Sequence, residues 1–103
     1  MAKIKLAKKT KTEAFDKDAI DHNTIDDFYY VDHFLIQPDN SDKIVIVKLA
    51  KDPGAAHQFK VIAISENEKP VTLLNSTFES AALKYMELMD MDPAEALAMI
   101  SHT

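Results

Sequence analysis

Apolar and polar positions recur along this chain with two periods, and the change from one to the other divides it. Ile44, Val45, Ile46 and Val47, continued by Leu49 and flanked by Lys43 and Lys48, make a β-branched run that is apolar on both faces. Such a run suits an interior strand. A second run, His57 to Ser65, sets Phe59, Val61 and Ala63 on one face and Lys60, Ile62 and Ile64 on the other. A third, Val71 to Leu74, follows Pro70, where a missing N–H costs little. Between the first two lies Lys51-Asp52-Pro53-Gly54. Proline presets φ for the second turn residue, and Gly54 is expected to supply the positive φ of a type II turn.

Beyond Leu74 the period becomes helical. Ser76-Thr77-Phe78-Glu79 has capping-box spacing, with Ser76 as the N-cap and Glu79 reaching back to it. Phe78, Ala81, Ala82, Tyr85 and Met89 then define one apolar face, widened by Leu83, Met86 and Leu88. A second helix start follows at Asp92-Pro93-Ala94-Glu95, with an acidic N-cap, proline at N1, and Met91 and Ala96 placed as a staple. That helix is expected to run to about Ser101.

The amino-terminal third is more ambiguous. Ile4 and Leu6 alternate with Lys3 and Lys5, so residues 1–12 read either as a lysine-rich arm or as an edge strand protected by its charges. Thr10 to Glu13 repeats the cap spacing and predicts a short helix over about residues 11–21 that buries Phe15, Ala19 and Ile20. Thr24 to Asp27 resembles a helix start, yet Phe28 to Val31 and Phe34 to Ile36 favour a strand, read here as Phe28 to Gln37. Pro38 to Asp42 then supplies a turn.

Residues 13–103 therefore form a single α+β domain: a small antiparallel meander sheet of three to four strands, followed by two C-terminal helices packed on one face. The central strands are apolar on both sides, and one helical layer covers only one of them. The other side requires the segment 13–27 or a second copy of the chain, as in a homodimer.

Composition narrows the class. At 103 residues and 47% apolar, the chain suits one domain with a modest core. No apolar run approaches the roughly 20 residues of a membrane span, and the lysine-rich N-terminus lacks the apolar stretch of a secretory signal. A soluble cytoplasmic protein with no membrane association is expected. With no cysteine there is no disulfide, thiolate nucleophile or cysteine-ligated zinc. The net charge of −5 hides an asymmetry. Lys3, Lys5, Lys8, Lys9 and Lys11 cluster without an acid, whereas residues 13–32 are dominated by aspartate. Every cationic side chain is lysine, and the absence of arginine argues against a dedicated reader of bases and phosphates.

Chemistry-bearing residues are scattered. Asp16, Asp18, Asp21 and His22, with Asp26 and Asp27, begin like a calcium loop. Ile20 and Asp21 then occupy its fifth and sixth positions, and Asp27 stands where a bidentate glutamate belongs. Helix capping explains the acids better, and Asp90 and Asp92 are read the same way. No pair of histidines has zinc-binding spacing, and His33 and His57 fall in predicted strands as partly buried structural side chains. Asp32 and His33 are adjacent, so a strand points them to opposite faces rather than joining them as a dyad. No serine has a nucleophile-elbow context, and the single glycine cannot build a phosphate-binding loop. Met86, Met89, Met91 and Met99 are read as core filling, with a partner groove as the other possibility.

The sequence thus points to a non-enzymatic, acidic protein, without metal or cofactor, that binds another protein as a regulator, inhibitor or assembly factor of the type carried by phages and mobile elements. Asp26, Asp27, Tyr29, Tyr30, Asp32, Glu87 and Asp90 are its candidate partner-binding residues. The alternatives are nucleic-acid association through Lys3, Lys5, Lys8, Lys9 and Lys11, an acidic mimic that occupies a nucleic-acid-binding protein, and a divalent-metal enzyme using the Asp16 to Asp27 cluster.

Overall fold

A computed structural model of the chain describes residues 8–10, 14–25, 30–37, 44–55 and 57–101. Five strands run in simple meander order: β1 (Lys8–Thr10), β2 (Tyr30–Gln37), β3 (Val45–Lys51), β4 (Phe59–Ser65) and β5 (Val71–Ser76). Every neighbouring pair is antiparallel. Two helices follow, α1 (Phe78–Asp90) and α2 (Pro93–Ser101). The class is α+β, with five strands rather than the three to four expected. The additional strand is β1, whose three residues pair with Leu35 to Gln37 on the open edge of β2. It falls within residues 1–12, which the sequence offers either as a lysine-rich arm or as an edge strand.

One face of the sheet makes the core. Phe34 and Ile36, Val47 and Leu49, and Phe59 and Val61 alternate inward on the three central strands and are all fully buried. Across them lies α1, which buries Phe78, Ala81, Ala82, Tyr85 and Leu88 at helical spacing. Leu83, expected to widen that face, points the other way and is 51% exposed. Ala96 carries α2 into the same core, and Met89, Met91 and Met99 pack around it.

The helix begins one residue later than the capping-box spacing implies. Ser76 belongs to β5, paired with Phe59, so Thr77 becomes the N-cap and accepts from the Ser80 N–H at 3.3 Å. Glu79 is thereby displaced from N3 and forms an ion pair with Lys17 at 2.8 Å. The start of α2 is as expected: the Asp92 carboxylate accepts from the Ala94 N–H at 3.1 Å, and Pro93 opens the first turn.

Two further expectations are corrected. The helix over residues 11–21 is replaced, within the described part, by separate 3-10 turns, Lys17–Ala19 and His22–Thr24. Asp16 and Asp21 each take the backbone N–H two residues ahead, at 3.0 and 3.2 Å, a local bond that competes with helix propagation. In the β3–β4 hairpin Gly54 does not have positive φ; the left-handed residue is His57, at φ 61°. The Asp52 carboxylate accepts from the Gly54 N–H at 2.8 Å, and the Ala55 N–H reaches the Asp52 carbonyl at 3.3 Å. The turn therefore needs no glycine-only conformation. The turn expected at residues 38–42 lies outside the described residues. No helix among the described residues is long and apolar enough to cross a membrane.

Candidate functional site

The residues singled out from sequence do not converge. Asp26, Asp27 and Tyr29 lie outside the described residues, as do Lys3, Lys5 and Lys11. Tyr30 stands on the outward side of β2, where its ring meets His33 edge-on at 5.3 Å between centroids and Lys48 lies 5.3 Å from its centre. Asp32 turns the opposite way and accepts from the hydroxyl of the buried Tyr85 at 2.8 Å. Burial and this carboxylate both hold the Tyr85 hydroxyl well above its ordinary value. Asp32 and His33 thus occupy opposite faces, as their adjacency in a strand implies. Glu87 and Asp90 lie with Leu83 on the solvent side of α1, remote in the fold from Tyr30.

Lys9 has a structural task. Its ammonium donates to the carbonyls of Leu88, at 3.0 Å, and of Met89 and Met91, the groups left unpaired where α1 ends. Burial draws its affinity for the proton below the usual lysine value, while Asp90 and Asp92 act in the opposite sense. A lysine so engaged is not part of a free phosphate-binding arm.

The described aspartates between β1 and β2 are also locally committed. Asp16 and Asp21 cap the 3-10 turns, and Asp18 pairs with Lys17 at 2.9 Å. Lys17, bonded first by Glu79 and then by Asp18, is held above the ordinary lysine range. Among the described residues no three histidine or acidic side chains stand close enough together to hold a metal ion.

Two depressions are lined by described residues. One, of about 320 Å³, lies between the second 3-10 turn and the β3–β4 hairpin and includes His22, Lys51, Asp52 and His57 in its lining. Its groups are largely engaged: the His22 ring is stacked on Phe78 at 4.5 Å, and Lys51 donates to the Ile25 carbonyl at 3.1 Å. Asp52 accepts from Asn75 at 2.7 Å and from the Gly54 N–H, which together pull its carboxyl below the usual range. His57 is exposed in the turn before β4, and His33 is exposed on the sheet, so neither is the partly buried strand residue expected. The lining contains no hydroxyl or thiol nucleophile, and its carboxylate has no histidine bonded to it.

The second depression belongs to the outward face of the sheet. It also measures about 320 Å³ and is lined by Ile44, Ile46, Ile64, Ser65 and Glu66. Leu35, Ile46 and Ile64 face one another across β2, β3 and β4, and Ile62 lies beside them. Of the segment 13–27, one of the two candidates for covering this side, the described residues 14–25 instead pack on the helical side: Phe15 meets Tyr85 at 5.1 Å, and Ile20 and Ile25 join the core. The thinnest dimension of the molecule is 19 Å, the depth of one sheet and one helical layer. Among the described residues, no element lies over this face.

No protein-family model, curated protein or solved structure matches this chain.

Proposed function

We propose that the chain is a non-enzymatic binding module that acts by docking another protein, as a regulator, inhibitor or assembly factor. The observation that carries this reading is the outward face of β2–β4, over which no described element lies and where the half-buried Leu35, Ile46, Ile62 and Ile64 form a contiguous apolar surface over the central strands. Soluble domains keep such surfaces small unless something binds there. Its composition supports the reading: β-branched side chains on rigid strands lose little freedom when covered, which lowers the entropic cost of association. This face replaces the Asp26 to Asp32 segment as the centre of the proposed interface.

The test is paired affinity capture from the source cell with the wild-type chain and an Ile46→Thr/Ile64→Thr variant, which keeps β-branching while removing apolar area. A stoichiometric protein retained by the first and lost by the second, with thermal unfolding within a few degrees, is the expected result. Equal retention by both would remove this face as the docking site.

A further inference from the structure

The outward face has a polarity of its own. Its apolar end gathers Ile44, Ile46 and Ile64 around the shallow depression, and Ile44 is 42% exposed. Two residues further along β3 stands Lys48, in register with Ile62, and two residues back along β4 stands Lys60, in register with Ala50. Lys48 and Lys60 are therefore diagonal neighbours on the same face, about 7–8 Å apart at the backbone.

No acidic side chain shares their side of β2, β3 or β4 among the described residues. Asp32, the one acid in these strands, points inward to Tyr85. Asp52, just beyond β3, stays ionised under its bonds from Asn75 and the Gly54 N–H and offsets part of the Lys60 charge. On a chain of net charge −5 this end of the apolar surface keeps a small positive excess, two lysines against the single carboxylate of Asp52. Glu66 sits at the rim of the opposite, apolar end, where it disfavours a second acid.

We propose that this face binds an acidic, amphipathic segment of a protein partner, its apolar side chains over Ile44, Ile46 and Ile64 and its carboxylates between Lys48 and Lys60. The inference rests on the docking function proposed above and adds the chemistry of the partner. A second copy of the chain fits less well, because stacking two such faces about a two-fold axis sets only Glu66, at the far rim, against the two lysines among the described residues. Nucleic acid fits poorly as well: the apolar half gives a phosphate backbone no donor, and lysine supplies point charges without the planar fork that arginine uses.

The test uses three designed peptides that share one leucine pattern and carry glutamate, glutamine or lysine at the remaining positions, with single-stranded DNA as a fourth probe. Binding to the full chain is followed by fluorescence anisotropy, and self-association by light scattering. The glutamate peptide is expected to bind about fivefold more tightly than its glutamine counterpart, the effect of two exposed ion pairs. That preference should vanish between about 0.01 M and 1 M salt as screening shortens the reach of charge. Lys48→Glu combined with Lys60→Glu should transfer the preference to the lysine peptide, while Glu95→Gln on α2 leaves it unchanged.

Equal binding of the glutamate and glutamine peptides would overturn the charge rule yet leave apolar docking intact, provided Ile46→Thr/Ile64→Thr weakens both. Failure of every peptide, together with unchanged capture by that variant, would bring down the docking function itself. Tighter binding of DNA, or self-association lost in the isoleucine variant, would overturn the acidic partner in favour of nucleic acid or a second copy.

Discussion

At the level of single residues, the structure reassigns the two features that looked most specific. Gly54 does not occupy the left-handed region, and a methyl group added to it would meet only the Asp52 carboxylate, at 3.4 Å. Gly54→Ala should therefore be neutral or stabilise by about 0.4–1 kcal/mol through the unfolded chain, as read by denaturant titration. Asp32, prominent in sequence as part of an acidic aromatic segment, is the acceptor for Tyr85, whose side chain is fully buried. Asp32→Ala leaves that hydroxyl unpaired and should cost about 1–3 kcal/mol, with Asp32→Asn costing less because an acceptor remains. The same bond gives the molecule a pH signature. The hydroxyl's proton affinity in the folded state lies above its ordinary value of 10.0. Its contribution is thus fully present below that value and is lost as pH rises above it. The stability advantage of wild type over Tyr85→Phe should be constant up to about pH 10 and shrink beyond it in melts taken across pH.

At the level of elements, the helices and central strands were readable because local and long-range preferences agree there. Phe78, Ala81, Ala82 and Tyr85 have one face to bury and the sheet to bury it against, while Asp92-Pro93 fixes a start that nothing contests. Reading failed where tertiary demands compete with local ones. Ser76 satisfies both a cap pattern and a strand pattern, and the ladder to Phe59 claims it. Removing the side-chain oxygens separates the two roles: Thr77→Ala should cost about 1 kcal/mol in the melting curve, and Ser76→Ala distinctly less. Thr10 to Glu13 offered a third cap pattern, but Asp16 and Asp21 divert the following chain into single turns by bonding their own neighbours. Such diversion depends on a side-chain rotamer choice, which periodicity does not encode.

Across the whole molecule, the excess of apolar strand surface was legible, whereas its position relative to the other elements was not. Alternation shows that β3 and β4 are apolar on both sides; it cannot show that Phe15 and His22 pack beside the helices instead of across the sheet. The lysine pair is invisible in sequence, because Lys48 and Lys60 become neighbours only through the β3–β4 register. A direct comparison measures how unlike the two faces are. Val61→Thr places a hydroxyl where no water reaches and should cost about 1–3 kcal/mol, while Ile62→Thr, one residue away on the open side, should cost less than about 1 kcal/mol. Equal penalties would mean that the second face is covered as well. The bond from Lys9 to the end of α1 carries a different consequence, for the order in which the fold is completed. It joins groups 79 and more residues apart, while each hairpin of the meander joins neighbours and closes at little entropic cost. During synthesis β1 leaves the ribosome first, yet it has no strand to pair with until β2 follows and no carbonyls to receive its lysine until Met91 has emerged. Lys9 therefore stays open to other contacts until the end of α1 has been made.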